Sequence, residues 1–365
     1  MSIPIIDSHI HLFPSSHLPT LAWYTPESPG PLGSQHSIDE YRQATENSSS
    51  GPTKQTKLRG FIFIETDRVS SVEESENGKG WTLALDEVSL LTRISTGTPI
   101  SGEGHSYEDR HLCLGIVPWA PIPGGADALE RYMSLVKERV KSNEVWEKVC
   151  GVRYLVQDKP AGVMLQDGFI EGLKWLGRQG ITFDLGVDAR QGGVWQLEEA
   201  VKMMGRVYEG VQRDKRVTIV INHLCKPNLR LPFTSTPRES TTAHPDFLQW
   251  KTLVTAMARH PTTYMKLSGV FSELPALSSD TEPDVESLVE RIQPWTDVVF
   301  DAFGTERVMF GSDWPVCNLG GGGNEVTWGR WRRVVEAVLE RRGLDNEQLE
   351  GFWGGVAVKA YGVKI

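Results

Sequence analysis

The chain has 365 residues, 38 of them basic and 47 acidic, and a formal charge of −9. This balance, without a basic stripe, argues against a nucleic acid or an acidic membrane as partner. No apolar run reaches the roughly 18–20 residues that span a bilayer, and the N-terminus lacks a basic region and a cleavage site, so we expect a cytoplasmic protein. The four cysteines (Cys113, Cys150, Cys225 and Cys317) are scattered, which predicts free thiols.

The first predicted strand, IIDSHIHLF at 5–13, carries two histidines two residues apart. Side chains alternate along a strand, so Asp7, His9 and His11 are expected on one face. Two imidazoles on a rigid strand can hold one divalent ion and leave its other side open. The alternative is a pair of ordinary polar histidines at a strand end.

Eight short apolar stretches recur along the chain. Continuous runs such as VTIVIN and LRGFIFIE are typical of parallel strands covered on both faces. The predicted strands are Ile3–His11, Leu58–Glu65, Leu112–Trp119, Val149–Leu155, Thr182–Val187, Val217–His223, Tyr264–Ser268 and Val308–Asp313.

Helical patterns lie between these strands. Ser37 and Glu40 form a capping box that predicts a short helix, and Gly180 is a good helix C-cap just before the fifth strand. Two amphipathic stretches, 326–342 and 345–361, follow the eighth strand. Eight strands, each followed by a helix, predict an α/β fold of the (β/α)8 TIM-barrel class, in a single domain over residues 1–365.

Long insertions follow several strands, at the C-terminal face where barrel enzymes place their active sites. They are 24–57, 66–111 and 225–244, together with the glycine run 320–323. Because all four insertions follow the C-terminal end of a strand, we expect them on one face of the barrel, where they could form a lid over the substrate. The alternative is a set of tolerated surface insertions.

Two polar residues at strand ends are the candidate catalytic groups. Asp313, in GSDWP, can take a proton from water beside an imidazole pair, unless it only caps the turn before Pro315. His223, in INHLCKP, can polarise a carbonyl or bind the ion, unless it is a paired core histidine. Buried polar clusters at strand ends are more often sites than accidents.

Three further residues are candidates for substrate binding. Arg153, in GVRYL, offers a planar guanidinium for a carboxylate or hydroxyl groups. Lys266, in MKLSG, can oppose a developing negative charge, or it pairs with an acid inside the barrel. Trp314 can form a pocket wall against a sugar ring, and it is equally suited to the core.

Two acids support the predicted site. Glu65 is either an extra metal ligand or a residue that orients a ligating histidine, and Asp184 is expected to support other residues rather than react. The remaining six histidines are expected to be solvated in loops or helix ends: His17, His36, His105, His111, His244 and His260.

The segments IIDSHIH, INHLCKP, KLSG and FGSDWP, in this order, resemble the amidohydrolase superfamily. More narrowly, they resemble its branch of metal-dependent sugar-lactone hydrolases. The resemblance implies that His9 and His11 are the first-strand histidines and that His223 is the sixth-strand histidine. It also implies that Asp313 is the eighth-strand aspartate, which serves as general base and often as metal ligand. It also implies an arginine-bearing fourth strand.

Two departures from the family pattern bear on the metal. The fourth strand has no lysine to bridge two ions, and the fifth strand, TFDLGV, lacks the usual histidine. We therefore expect one divalent ion, with Zn²⁺ as the default, held by His9, His11 and Asp313 with or without Glu65. The alternative is that the metal is dispensable, because a lactone is already an activated ester.

The resemblance implies hydrolysis of an aldonolactone such as L-rhamnono-1,4-lactone, in the breakdown of L-rhamnose. Two alternatives stay open, namely a decarboxylase of an aromatic acid and a degenerate barrel that only binds a sugar acid. The expected partner is the small-molecule lactone, and a homodimer is the base-rate expectation for the assembly.

Overall fold

The structure is a computed structural model that describes residues 2–46, 56–74, 79–231 and 241–365. All eight predicted strands are confirmed, most of them shorter than the apolar runs that predicted them. Their bounds are β1 Ile3–Ile10, β2 Thr56–Ile64, β3 Cys113–Val117, β4 Gly151–Arg153, β5 Thr182–Leu185, β6 Ile219–Ile221, β7 Thr263–Leu267 and β8 Val308–Phe310.

The strands form two parallel sheets in sequence order, β1–β2–β3 and β4 to β8. Isolated parallel bridges connect the two sheets at both edges. Ile116 pairs with Val149 between β3 and β4, and Ile10 pairs with Trp314 between β1 and the segment after β8. At the second edge the amide of Asp313 donates to the carbonyl of His9 at 2.9 Å.

Helices connect the strands and continue after β8. Their bounds are α1 Ile38–Glu46, α2 Lys79–Thr96, α3 Gly125–Val140, α4 Asn143–Trp146, α5 Asp167–Gln179, α6 Trp195–Tyr208, α7 Pro245–Ala258, α8 Val270–Glu273, α9 Val285–Phe303, α10 Asn318–Gly321, α11 Thr327–Arg342, α12 Asn346–Glu350 and α13 Val356–Tyr361. A π-helical turn, Gly351–Gly355, joins α12 to α13. No helix in the described ranges is long and apolar enough to cross a bilayer.

Two clusters of buried side chains make up most of the apolar core. A large cluster fills the space between the strands and the helices. A smaller one gathers side chains from several strands, including Ile6, Val220 and Met309, against α13. Thr182, the first residue of β5, donates to the carbonyl of Ala360 at 2.8 Å. The C-terminal helix therefore lies at the N-terminal ends of the strands, opposite the ends that carry the predicted site.

Two of the predicted insertions contain regular structure. The range 24–57 contains α1, where the Glu40 carboxylate accepts from the backbone amide of Ser37 at 2.8 Å. The range 66–111 is not a plain surface insertion, because it contains the 18-residue helix α2 that connects β2 to β3. Of the range 225–244, residues 232–240 lie outside the described residues.

Three of the six histidines predicted to be solvated are buried. Arg68 contacts both ring nitrogens of His17 at 3.0 and 3.2 Å, His36 packs against Trp314, and His105 bonds to Glu103. The prediction was wrong there because loops following β1 and β2 fold back onto the protein. The four thiols are free, as predicted, and all are buried.

Candidate active site

The site is built on a bulge in β1. The pairing register with β2 shifts between Asp7 and Ile10, so the predicted common face of Asp7, His9 and His11 is wrong for Asp7. The Asp7 carboxylate contacts Tyr41 in α1 and Trp328 in α11, on the helical side. His9 and His11 instead lie together, with their Nε2 atoms 3.1 Å apart. A bulge adds one residue and thereby reverses the alternation.

Asp313 is surrounded by three imidazoles. Its Oδ1 lies 3.5 Å from the Nε2 of His9 and 3.6 Å from the Nε2 of His11. The Nε2 of His223, from the end of β6, is also 3.6 Å away. The ends of three strands far apart in sequence thus converge on one carboxylate, as the sequence predicted.

The backbone at these strand ends is in the left-handed region. Asp313 has φ +64°, and the four residues 223–226 have φ between +44° and +62°. Such conformations cost about 1–3 kcal/mol each and cluster at functional sites. Gly269, after β7, leaves room for the group, since a Cβ there would lie 2.6 Å from His223 Nδ1 and 3.0 Å from Asp313 Oδ2.

Burial and neighbouring charges set the protonation of the cluster. Burial raises the pKa of Asp313, but His223 and His11 outweigh it, so the pKa lies below its ordinary value. Burial lowers the pKa of His223 to about 3, against the opposing effect of Asp313. Burial, helped by the nearby Lys266 ammonium, holds the pKa of His9 well below its usual range. A carboxylate beside the neutral imidazoles of His9 and His223 can accept a proton from water.

His9, His11 and Asp313 fit a metal ion by their donor set. One ligand atom from each lies within 4.8 Å of the others, and this is the candidate metal group among the described residues. The Nδ1 of His11 lies 2.9 Å from the backbone carbonyls of Ile64 and Glu65. A carbonyl only accepts, so Nδ1 carries a proton, and Nε2 is the ring nitrogen that would bind the ion.

A cavity of about 240 Å³ opens beside Asp313 at the C-terminal ends of the strands. The segments after β1, β2, β4, β6 and β8 supply its walls. The lining residues are His11, Phe13, Trp23, Leu32, Glu65, Thr66, Asp67, Arg153, Leu155, Gln157, His223, Lys226, Asp313 and Val316. The wall is thus polar near Asp313 and Arg153, and apolar around Phe13 and Leu32.

Arg153 and Glu65 face each other in this wall. Arg153 Nε lies 3.4 Å from Glu65 Oε1, and the other Glu65 oxygen accepts from the amide of Asp67 at 2.5 Å. Burial raises the pKa of Glu65 to about 7, although Arg153 opposes this. The Glu65 carboxylate is not in the metal group, while its backbone carbonyl orients His11. The geometry favours the supporting role for Glu65 over metal ligation.

Two residues predicted to bind substrate do not line the cavity. Lys266 is fully buried, with Nζ 2.7 Å from Asp184 Oδ2 and 3.1 Å from His9 Nδ1. Trp314 is also fully buried, and its Nε1 donates to Asn324 at 2.7 Å. The geometry favours the alternatives stated for each, namely an internal ion pair for Lys266 and a core position for Trp314.

Sequence reasoning missed several polar residues of the site. Lys226 lines the cavity because the left-handed turn 223–226 carries it there, and its Nζ is 3.4 Å from Gln157 Oε1. Asn222 Oδ1 lies 3.2 Å from Nδ1 of His9. Both stand inside INHLCKP, so their place next to His223 was the available signal. Asp67 also lines the cavity. The sequence held no signal for it, because it lies in an irregular segment.

The chain is similar to known proteins over much of its length. Residues 114–363 match the family described as Amidohydrolase. The chain is 35% identical over 361 residues to L-rhamnono-gamma-lactonase of Scheffersomyces stipitis, and the match covers 98% of each. It is 28% identical over 216 residues to L-fucono-1,5-lactonase of Burkholderia multivorans, covering 59% of this chain and 63% of the relative.

A solved structure shares the fold. An amidohydrolase from Burkholderia multivorans, crystallised with bound Zn, matches with a TM-score of 0.62 over 99% of each chain at 22% identity. The family match covers more than half of the chain, and the similarity to the Scheffersomyces stipitis protein runs over nearly all of it. The chain therefore belongs to the amidohydrolase family.

Proposed function

We propose that the protein opens the ring of an aldonolactone, with L-rhamnono-1,4-lactone as the leading substrate. The observation that carries the proposal is the Asp313 carboxylate, set among three imidazole Nε2 atoms in the wall of a cavity. The 35% identity to L-rhamnono-gamma-lactonase supports this choice of substrate. Such a role would place the protein in the breakdown of L-rhamnose.

Asp313 is the proposed general base and acid. It accepts a proton from a water molecule while the water oxygen forms a bond to the lactone carbonyl carbon. When the bond from that carbon to the ring oxygen breaks, Asp313 returns the proton to the leaving oxygen, which becomes an alcohol. The new carboxylic acid then ionises near neutral pH, so one proton is released per turnover. The lowered pKa of Asp313 keeps it in the basic form at the start.

His223 is proposed to stabilise the negative charge that develops on the carbonyl oxygen. Its Nε2 faces the Asp313 carboxylate, which only accepts, and its Nδ1 lies 2.8 Å from the Ser268 hydroxyl, which can donate. In the proposed mechanism we therefore assign the ring proton to Nε2. The pKa of about 3 keeps His223 neutral, so it donates a hydrogen bond without competing for the proton of water.

The proposed metal ligands are His9, His11 and Asp313, with Zn²⁺ as the default because imidazole and carboxylate donors suit it. When bound, the ion would polarise the lactone carbonyl and lower the pKa of water. Glu65 is proposed to hold Arg153 in place rather than to bind the ion.

Arg153 is proposed to bind the sugar hydroxyls from the opposite wall, with Lys226 in place of Lys266 as the second cation. Both side chains line the cavity, whereas Lys266 is fully buried, with its Nζ 3.1 Å from Nδ1 of His9. A guanidinium presents several donors in a fixed plane, which suits neighbouring hydroxyl oxygens.

The architecture is proposed to be one closed (β/α)8 barrel over the whole chain. The bridges between β3 and β4 and between β1 and the segment after β8 support closure, and the contact of α13 with several strands supports a single domain. A cytoplasmic location and a homodimer remain proposals from the sequence.

The test is a pH-stat titration of purified protein with L-rhamnono-1,4-lactone, L-fucono-1,5-lactone and a dihydroxybenzoate, with metal content measured on the same sample. We expect proton release from a lactone above the enzyme-free rate and one divalent ion per chain. Absence of proton release from every aldonolactone would overturn the proposal. Release of CO₂ from the benzoate would favour the decarboxylase, and binding of the lactone without turnover would favour a binding protein.

A further inference from the structure

A second cavity, of about 150 Å³, adjoins the cavity that contains Asp313. The two cavities share Asp67 and Leu155 as lining residues, whereas Asp313 and Arg153 line the first alone. The walls of the second cavity come from the segments after β1, β2, β3 and β4. It therefore lies at the same ends of the strands as the first cavity and borders it at Asp67.

The wall of the second cavity is largely apolar away from Asp67. Trp119 and Tyr154 are both buried, and the centres of their rings lie 6.3 Å apart. Val69 and Val72, in the segment after β2, add aliphatic surface. Aromatic and aliphatic walls favour the hydrocarbon part of a ligand. The second cavity thus suits a small apolar group.

The cations of this wall, Arg68 and Lys159, are already paired. Arg68 donates to Asp86 at 2.9 Å, and Lys159 donates to Asp158 at 2.8 Å. Because a paired cation attracts a further anion less strongly, the second cavity does not favour a carboxylate or a phosphate group. An uncharged group fits it better.

Asp67, between the two cavities, has a backbone in the left-handed region, with φ +58°. Its amide donates to Glu65 Oε2 at 2.5 Å, and its carbonyl accepts from the amide of Ala22 at 2.8 Å. Such a conformation is uncommon for residues other than glycine. Both contacts are made by the backbone of Asp67, so its carboxylate is left for another partner.

The Asp67 carboxylate accepts no hydrogen bond within the described part of the chain. Burial and the Asp158 carboxylate raise its pKa, and the cations of Lys159 and Arg153 oppose them. Lys159 lines the second cavity and Arg153 the first, so charges from both cavities act on this carboxylate. A partly buried carboxylate without a protein donor needs a donor from water or from a ligand.

We infer that the second cavity binds the carbon side chain of a sugar 1,4-lactone and that Asp67 selects for the hydroxyl group on this side chain. The inference rests on the proposed lactone hydrolysis and names the part of the substrate that the protein distinguishes. In a six-carbon 1,4-lactone the ring contains carbons 1 to 4, and carbons 5 and 6 form a side chain on carbon 4. When the carbonyl lies beside Asp313, this side chain requires a second space.

The chemistry of the side chain matches the second cavity at both of its carbons. In L-rhamnono-1,4-lactone carbon 5 carries a hydroxyl group and carbon 6 is a methyl group. The hydroxyl hydrogen needs an acceptor, which the cations Arg153 and Lys226 cannot provide and the Asp67 carboxylate can. The methyl group then lies against the apolar wall that Trp119 and Tyr154 form, where its burial is favourable.

The test compares L-rhamnono-1,4-lactone with D-erythrono-1,4-lactone, which has the same two ring hydroxyl groups but no carbon side chain. The measured quantity is the ratio of kcat/KM for the two lactones, from pH-stat titration. Asp67→Gly removes the carboxylate and tolerates the positive φ, while Asp67→Asn keeps an acceptor oxygen. Ala22→Phe places a ring in the second cavity. The control is Asp214→Gly, at an exposed position before β6.

We expect the parent protein to prefer L-rhamnono-1,4-lactone by roughly 10²-fold or more, because a site that binds a hydroxyl group rejects an analogue without it. Asp67→Gly should lower this ratio by roughly 10–100-fold, the range for a lost hydrogen bond to a charged group. Its kcat/KM for D-erythrono-1,4-lactone should stay unchanged. Asp67→Asn should keep part of the preference, and Ala22→Phe should lower it by obstructing the side chain. Asp214→Gly should behave as the parent protein does.

A parent protein that hydrolyses both lactones equally well would overturn the inference. An Asp67→Gly variant with an unchanged ratio would also overturn it, whether its activity on the two lactones is retained or falls in the same proportion. If neither lactone is hydrolysed, the proposed function fails. The binding of the two intact lactones, measured by calorimetry, then decides the inference by the same ratios, and binding of neither would overturn it as well.

Discussion

The carboxylate of Asp7 accepts a hydrogen bond from the backbone amide of Ser312 at 2.8 Å. Its other oxygen accepts from the Tyr41 hydroxyl at 3.1 Å and from Trp328 Nε1 at 3.0 Å. One buried side chain thus ties β1 to two helices and to the residue next to Asp313. The position of Asp313 beside His9 depends on this connection as well as on the strands.

Replacement of Asp7 by alanine should destabilise the fold strongly. The three donors named above and the backbone amide of His9, which lies 3.4 Å from the same carboxylate, lose their buried acceptor, at about 1–3 kcal/mol each. Denaturant unfolding gives the change in free energy. Asp345→Ala, which removes an exposed helix cap, is the control and should cost about 1 kcal/mol. A loss for Asp7→Ala no larger than that of the control would contradict the importance given to this contact.

Asp313→Asn should abolish most of the turnover while the fold is retained. An amide cannot accept the proton from water, and general acid–base catalysis contributes roughly 10²–10⁴-fold to rates. Steady-state kinetics on the lactone measure kcat, and thermal unfolding checks the fold. A variant with the kcat of the parent protein would remove Asp313 from the mechanism.

His223→Ala should lower kcat more than it changes KM, because the proposed hydrogen bond strengthens as charge develops on the carbonyl oxygen. Loss of one such donor typically costs about 10²–10³-fold in kcat. His244→Ala provides the matched control, since His244 lies at the start of α7 away from the cavity. Equal kinetics for the two variants would refute the assigned role of His223.

Arg153→Lys should lower kcat/KM by roughly 10–100-fold, chiefly through KM. A lysine keeps the charge but loses the planar set of donors, and hydrogen bonds to charged groups contribute about 1.5–3 kcal/mol. Arg178→Lys, on the exposed face of α5, is the control. If Arg153→Lys binds the lactone as well as the parent protein does, the substrate is held elsewhere.

Stability should fall as the pH rises from about 4.5 to 7. Burial raises the pKa of Glu65 to about 7, against Arg153, and that of Glu87 to about 7, against the hydrogen bonds from Thr66. A carboxyl group with a raised pKa in the folded state stabilises the fold fully below its ordinary pKa. This contribution is lost as the pH passes through the raised value.

Free energies of unfolding at several pH values test this expectation. Glu65→Gln and Glu87→Gln should each flatten the dependence between about pH 4.5 and 7. The exposed substitution Glu347→Gln should leave the dependence as it is in the parent protein. An unchanged slope in both buried variants would show that neither group takes up a proton on folding in this range.

Much of the fold could be predicted from local patterns. Short apolar runs separated by amphipathic stretches placed all eight strands, and polar residues at their ends placed His9, His11, His223 and Asp313 around one point. Helix α2 was not predicted, because it lies in a segment rich in serine and glycine, a composition that is typical of loops. The burial of the loop histidines was not predicted, because it depends on the parts of the protein against which each loop packs.

The order of the strands and the kind of chemistry at their C-terminal ends could be read from the amino-acid sequence, because the pattern of apolar and polar residues is a local property. Which side chains reach the cavity, by contrast, depends on how the chain folds. A one-residue bulge turned Asp7 away from His9, and a left-handed turn brought Lys226 into the cavity while Asp184 kept Lys266 buried. These outcomes depend on contacts between residues far apart in sequence, so no local pattern carries them.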